Sequence, residues 1–201
     1  MLPEDKQAIY EAMRAARKRA RGYADFFGWA TNRDLEEQSI AAHFAKSLEA
    51  NDALFFSQIK IRGRGNDPPD LDALDHLGQR IAIEVTELVD GKGIEAFKAG
   101  RHYDWAGWDK TKFLSSLISL LHAKNRCFAR LKDGPYPGGY LVLIFTDEPE
   151  LQRDTVETFL AGHSFSGHSF SQVENVDKAI LLLSYDPTVG RCPYFELINR
   201  G

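Results

Sequence analysis

Cysteine is scarce in this sequence, long apolar runs are missing, and positive charge is not in excess. Each shortage narrows the options. Two cysteines in 201 residues, Cys127 and Cys192, do not make a disulfide framework. Neither lies in a CxxC or nucleophile-type context, so the expectation is two reduced thiols in a cytoplasmic protein. The longest apolar runs, 140–145 and 179–183, fall far short of the ~20 residues a membrane helix needs, so no membrane partner is expected. The start, Met1-Leu2-Pro3-Glu4-Asp5, has no basic stretch followed by an apolar one, and no signal peptide is expected. Lysine and arginine number 25 against 29 acidic residues, a net charge of −4. That argues against a protein that binds nucleic acid through its whole surface.

What is present is ordinary for a globular chain: 43% hydrophobic and 27% charged residues, which excludes a disordered or collagen-like protein. A chain of this length can bury roughly 70% of its unfolded surface. The charge is uneven. Within residues 1–21, Lys6, Arg14, Arg17, Lys18, Arg19 and Arg21 outnumber Glu4, Asp5 and Glu11. This is either a basic arm that touches phosphates or a solvated helix face.

The element pattern reads as α/β. Pro3 suits a first helical turn, and a helix follows to Gly22. Asp34, with Glu37 at capping-box spacing, predicts a second helix with the apolar stripe Ile40, Ala41, Phe44 and Leu48. Residues 54–61 read as a strand and 62–69 as a loop. Residues 70–74 and 80–88, joined through His76-Leu77-Gly78-Gln79, read as a hairpin. Residues 89–104 look irregular. A long helix is expected over about 108–131, a buried strand over 140–145, a helix over 150–161, and strands over 178–185 and 194–198. A tandem GHSFS pentapeptide carrying His163 and His168 reads as a loop, and Trp105 and Trp108 as packing residues. With no long linker or long-period repeat, 1–201 is expected to be a single domain.

Acidic residues occupy particular points on that frame. Glu84 sits mid-strand among Ile81, Ile83 and Val85, where an unpartnered carboxylate is costly to bury. Alternation puts Ala82, Glu84 and Thr86 on one face and Ile83, Val85 and Glu87 on the other. Asp70 opens the preceding strand. If it faces Glu84 across the hairpin, two like charges about 4 Å apart repel by ~4 kcal/mol at an effective dielectric of ~20. A divalent cation removes the conflict, and oxygen ligands suit Mg2+ or Mn2+.

Pro69-Asp70 followed, after thirteen residues, by Glu84-Val85-Thr86 resembles the signature of the PD-(D/E)xK nucleases. The order helix, three strands, helix, strand over about 33–146 is similar to the core of that superfamily. The resemblance implies a restriction-endonuclease-like αβββαβ fold: a mixed sheet flanked by helices, here with an extra N-terminal helix over 1–22 and a C-terminal α/β extension over 147–201. It implies a metal-dependent nuclease with nucleic acid as substrate, DNA favoured over RNA, and leaves a homodimer open. Asp70, Glu84 and the main-chain carbonyl of Val85 would hold Mg2+ or Mn2+. Glu37, on the preceding helix, matches an acid that many members carry there.

One position departs from the pattern. The family lysine would fall at 86, and this chain has Thr86, similar to the very-short-patch mismatch-repair endonuclease variant. Lys124 on the long helix and Lys60 on the first strand are the replacements the sequence offers. Lys124 comes first, because its stem can follow the apolar face of Leu120 and Leu121 toward the sheet. Arg62 and Arg64, just ahead of the motif, are candidates for phosphate contact. Without a lysine at the site, the alternative is a catalytically inactive module that binds nucleic acid or a protein partner. The nuclease reading requires the oxygens of Asp70, Glu84 and Glu37 to converge on one ion.

Overall fold

Asn32, not Asp34, starts the first helix of the described chain. In the computed structural model, which describes residues 32–63, 65–102, 107–163 and 173–200 except the side chains of Phe97 and Lys98, the Asn32 side-chain oxygen accepts from the N–H groups of Asp34 (3.0 Å) and Leu35 (3.4 Å). That satisfies two of the free donors at a helix start. Helix α1 (Arg33–Glu49) follows. The expected capping box is replaced, because Glu37 falls in the second turn, where Arg33 bonds it. Ile40, Ala41, Phe44 and Leu48 form the buried stripe, as the periodicity predicts. The expected N-terminal helix, Arg64, Trp105 and most of the tandem pentapeptide with His168 lie outside the described residues.

Strand β1 (Phe56–Ile61) comes next, and β2 (Leu71–Asp75) and β3 (Arg80–Glu87) form the hairpin. The Asp75 side chain accepts from the N–H groups of Leu77 and Gln79 at 2.8 Å each, and Gly78 supplies the left-handed backbone the turn needs, at φ +76°. Residues expected to be irregular instead hold a helix, α2 (Gly91–Lys98). Gly91 and Gly93 obscure it, but Asp90 starts it by accepting from Lys92 N–H (3.1 Å) and Gly93 N–H (3.2 Å). Helix α3 (Lys110–Cys127), capped by Asp109, is shorter than expected and ends in a 3-10 turn over Phe128–Arg130. Strand β4 (Tyr140–Thr146), helix α4 (Arg153–Leu160), and strands β5 (Lys178–Leu183) and β6 (Tyr194–Asn199) complete the set.

The six strands form one mixed sheet in chain order. Pairing is antiparallel from β1 to β3, parallel from β3 to β5, and antiparallel again at β6. Alternation divides the core in two. Ala82, Val142, Ile144 and Leu181 pack with Phe113, Leu117 and Leu121 of α3 and Val156 of α4. Ile81, Ile83, Val85, Leu143 and Ile180 pack with Ile40, Phe44 and Leu48 of α1. All seven residues of β4 are buried, the pattern of a strand covered on both faces. The expected C-terminal extension is integral to this sheet, since β5 contributes to both halves of the core. No helix among the described residues is long and apolar enough to cross a membrane.

Candidate metal centre

The hairpin register brings the acids together. Leu71 pairs with Ile83, so Asp70, one residue earlier, stands opposite Glu84. Asp70 is held there by the Val85 N–H, which donates to its Oδ2 at 2.8 Å. The N–H and C=O of one strand residue project toward the same neighbour, so the Val85 carbonyl faces this side too. Glu84 shares a face with Ala82, the face covered by α3. Glu84 is 2% exposed and Asp70 6%.

Lys124 reaches them as its spacing predicts. It lies one turn beyond the buried Leu121, which turns its side chain toward the sheet. Its ammonium donates to Glu84 Oε2 and stands 3.9 Å from Asp70 Oδ2. The Tyr140 hydroxyl donates to the Lys124 carbonyl at 3.0 Å, tying the last turn of α3 to β4. The second Glu84 oxygen, Oε1, is buried and has no hydrogen-bond partner among the described residues.

The three carboxylates that converge are Asp67, Asp70 and Glu84. One oxygen from each lies within 4.8 Å of the other two. The expected third acid, Glu37, is not in that group, so the convergence of Asp70, Glu84 and Glu37 that the sequence reading required is not met, and Asp67 takes the third place. The reason is the layering: Glu84 faces α3, whereas Glu37 comes from α1 on the opposite face of the sheet. Glu37 does line a pocket of about 380 Å³ together with Arg33, Asp34, Gly63, Asp67 and Asp70. Its carboxylate accepts from Arg33 Nε at 2.6 Å.

All the buried acids here are costly to ionise. Burial raises the Glu84 carboxyl above its usual range, the Asp70 charge adds to this, and Lys124 opposes it. Burial also raises Asp70, against the pull of Lys124 and the Val85 N–H. Glu37 is pushed up to about 7, first by burial and then by Asp70, with Arg33 opposing. A cation bound by Asp70 and Glu84 would relieve the cost of ionising those two.

The remaining candidates lie elsewhere. Lys60 is exposed on the edge strand β1, where its register partner is Asp72. The Arg62 guanidinium is turned inward, bonded to Asp72 (3.1 Å), Asp133 (2.5 Å) and the Asn66 carbonyl (3.2 Å). Trp108 packs against the α3-side core with the Lys112 ammonium 4.5 Å from its ring centre. Asp67 and Arg33 were not singled out by sequence reasoning. In Asn66-Asp67-Pro68-Pro69-Asp70 the first aspartate has the composition of a turn, and only its distance of three residues from Asp70 hinted at more.

Comparison with protein-family models, with curated proteins and with solved structures gives no match to this chain.

Proposed function

We propose that this chain is a metal-dependent nuclease with a restriction-endonuclease-like core, hydrolysing phosphodiester bonds in nucleic acid, with DNA the first substrate to test. The observation that carries the reading is the Lys124 ammonium lodged against Glu84 and near Asp70. It supplies, from a helix, the cation that the chain lacks at Thr86. The order α1, β1, β2, β3, α3, β4 around the acids, with α2 inserted after β3, supports the same reading.

The residues fit a divalent cation on their own chemistry. They are hard oxygen donors, two of them buried, and one Glu84 oxygen is left without a partner among the described residues. Asp70, Glu84 and the Val85 carbonyl would hold Mg2+ or Mn2+, which when bound lowers the pKa of a water and offsets phosphate charge. The other roles fall to side chains. The Val85 N–H keeps Asp70 oriented. Lys124 faces the charge that develops on the phosphate oxygens and stabilises it without reorganising. Glu37 keeps to its pair with Arg33, in the pocket it shares with Asp67 and Asp70.

The test is cleavage of plasmid DNA and of single-stranded RNA with Mg2+ or Mn2+, run on wild type, Asp70→Asn and Glu84→Gln. Metal-dependent cleavage lost in both variants is the expected result. No cleavage by wild type, or cleavage indifferent to both substitutions, overturns it. One observation favours a second reading. Lys124 and Arg33 already pair with Glu84 and Glu37, so the acids could be neutralised by side chains in an inactive binding module. That module would cleave nothing and bind no Mn2+.

A further inference from the structure

We propose that Asp67, on the loop between β1 and β2, is the third carboxylate ligand of a hard divalent cation held by Asp70 and Glu84. This rests on the nuclease reading and deepens it. The geometry is the first ground. Two oxygens on opposite sides of one ion, each about 2.1–2.5 Å away, stand about 4.2–5 Å apart, and the three carboxylate oxygens lie within 4.8 Å of one another. The second ground is Glu84 Oε1, buried and without a hydrogen-bond partner among the described residues. A buried carboxylate oxygen left in that state is costly, and a cation taken up by the Glu84 carboxylate would give it a partner.

Glu37 competes poorly for the same place. Its carboxylate is already bonded by Arg33, and it approaches from the α1 face while Glu84 looks toward α3. Charge also balances with Asp67. Three carboxylates beside one ammonium leave two negative charges, matched by one divalent ion. The main chain on either side of Asp67 is fixed. The Asn66 N–H donates to the Gly63 carbonyl at 3.0 Å, and the Lys132 N–H to the Pro68 carbonyl at 2.8 Å. An exposed carboxylate on an anchored backbone closes over the ion with little loss of order.

The experiment is titration of the full-length protein with Mn2+ alone, followed by calorimetry and by loss of the free Mn2+ electron-spin signal. Wild type, Asp67→Asn, Asp34→Asn, Glu37→Gln and Asp70→Asn are compared at one pH and ionic strength. Asp67 is exposed, so its variant should fold, and a thermal melt without metal checks this. The expected result is one site in wild type, binding at least 10-fold weaker in Asp67→Asn, and loss in Asp70→Asn. Asp34 lines the same pocket and controls for charge alone, so its variant should stay within about twofold. Asp67→Asn equal to wild type or to Asp34→Asn, while Asp70→Asn loses binding, overturns this inference and spares the nuclease reading. A larger loss in Glu37→Gln than in Asp67→Asn also overturns it. No Mn2+ bound by wild type ends both.

Discussion

On the proposed nuclease reading, Lys124 takes the task that the signature gives to a strand lysine at position 86, where this chain has Thr86. The proposed chemistry would need an ammonium at a point in space, and α3 places one beside Glu84 because Lys124 continues the line of Leu117 and Leu121. Lys124→Met should therefore cut cleavage by about 10²–10³-fold, the scale of losing one preorganised charge at a reacting centre. It should also destabilise the metal-free protein by about 3 kcal/mol, because Glu84 is left as an unpaired buried acid. Mn2+ should return part of that stability, since it binds only the folded state. Thr86 shares the Glu84 face, so adding Thr86→Lys to Lys124→Met should recover part of the cleavage. A double variant as inactive as the single one, though folded, would show that the ammonium must come from α3. Glu37 gives a pH signature. It titrates near 4.5 when unfolded and at about 7 when folded, so between those values the folded state keeps a proton that the unfolded state has released. Stability without metal should fall as pH rises through that window and level off above it. Burial raises Asp70 and Glu84 in the same direction. In Glu37→Gln, melting temperatures measured from pH 4 to 8 in chelator should fall less steeply than in wild type.

At the scale of elements, the loop over 62–69 shows why part of the site was legible and part was not. Asp70 and Glu84 could be found because strand alternation and a short hairpin fix which residues face each other. Lys124 could be found because helix periodicity fixes its side. Asp67 obeys neither rule. Its place depends on a loop held by distant partners: Arg62 bonds Asp72 and Asp133, and Arg80 also bonds Asp72 (2.9 Å). The same network explains why Arg62, read from sequence as a phosphate contact, has its guanidinium turned inward. Helix α2 was hidden for a related reason, since two glycines mask a helix whose start is set by the Asp90 side chain. Arg62→Ala should cost about 1–3 kcal/mol, because it strands the polar groups it satisfies. It should also speed hydrogen exchange at the Asn66 amide and weaken Mn2+ binding several-fold by loosening the backbone under Asp67. If Arg62 meets nucleic acid instead, the variant will lower the slope of log affinity against log salt by about 1 and leave Asn66 exchange unchanged.

At the scale of the molecule, the site lies beside the most fully buried strands of one sheet. The acids sit on the β2–β3 hairpin, whereas β4 and β5 carry the densest burial. Sequence periodicity disclosed every strand of that sheet, because buried parallel strands read as short apolar runs. It did not disclose that β5 and β6 share the core, because which runs become neighbours depends on pairing across long separations. A cut after residue 146, where the expected core of the single domain ends, would therefore pass through a packed sheet. Ending the chain at Thr146 would remove β5, which pairs with β4 from Leu141 to Thr146. It would leave a seven-residue strand, every residue of which is buried in the full chain, with one open edge. Such an edge recruits other chains. The shortened protein should appear in the insoluble fraction, while the full chain should unfold in a single transition with circular dichroism and tryptophan fluorescence coinciding. A soluble, cooperatively folding fragment ending at Thr146 that still binds Mn2+ would show instead that the hairpin, α1 and α3 suffice to hold the acids together. The β5–β6 half would then be dispensable to the chemistry.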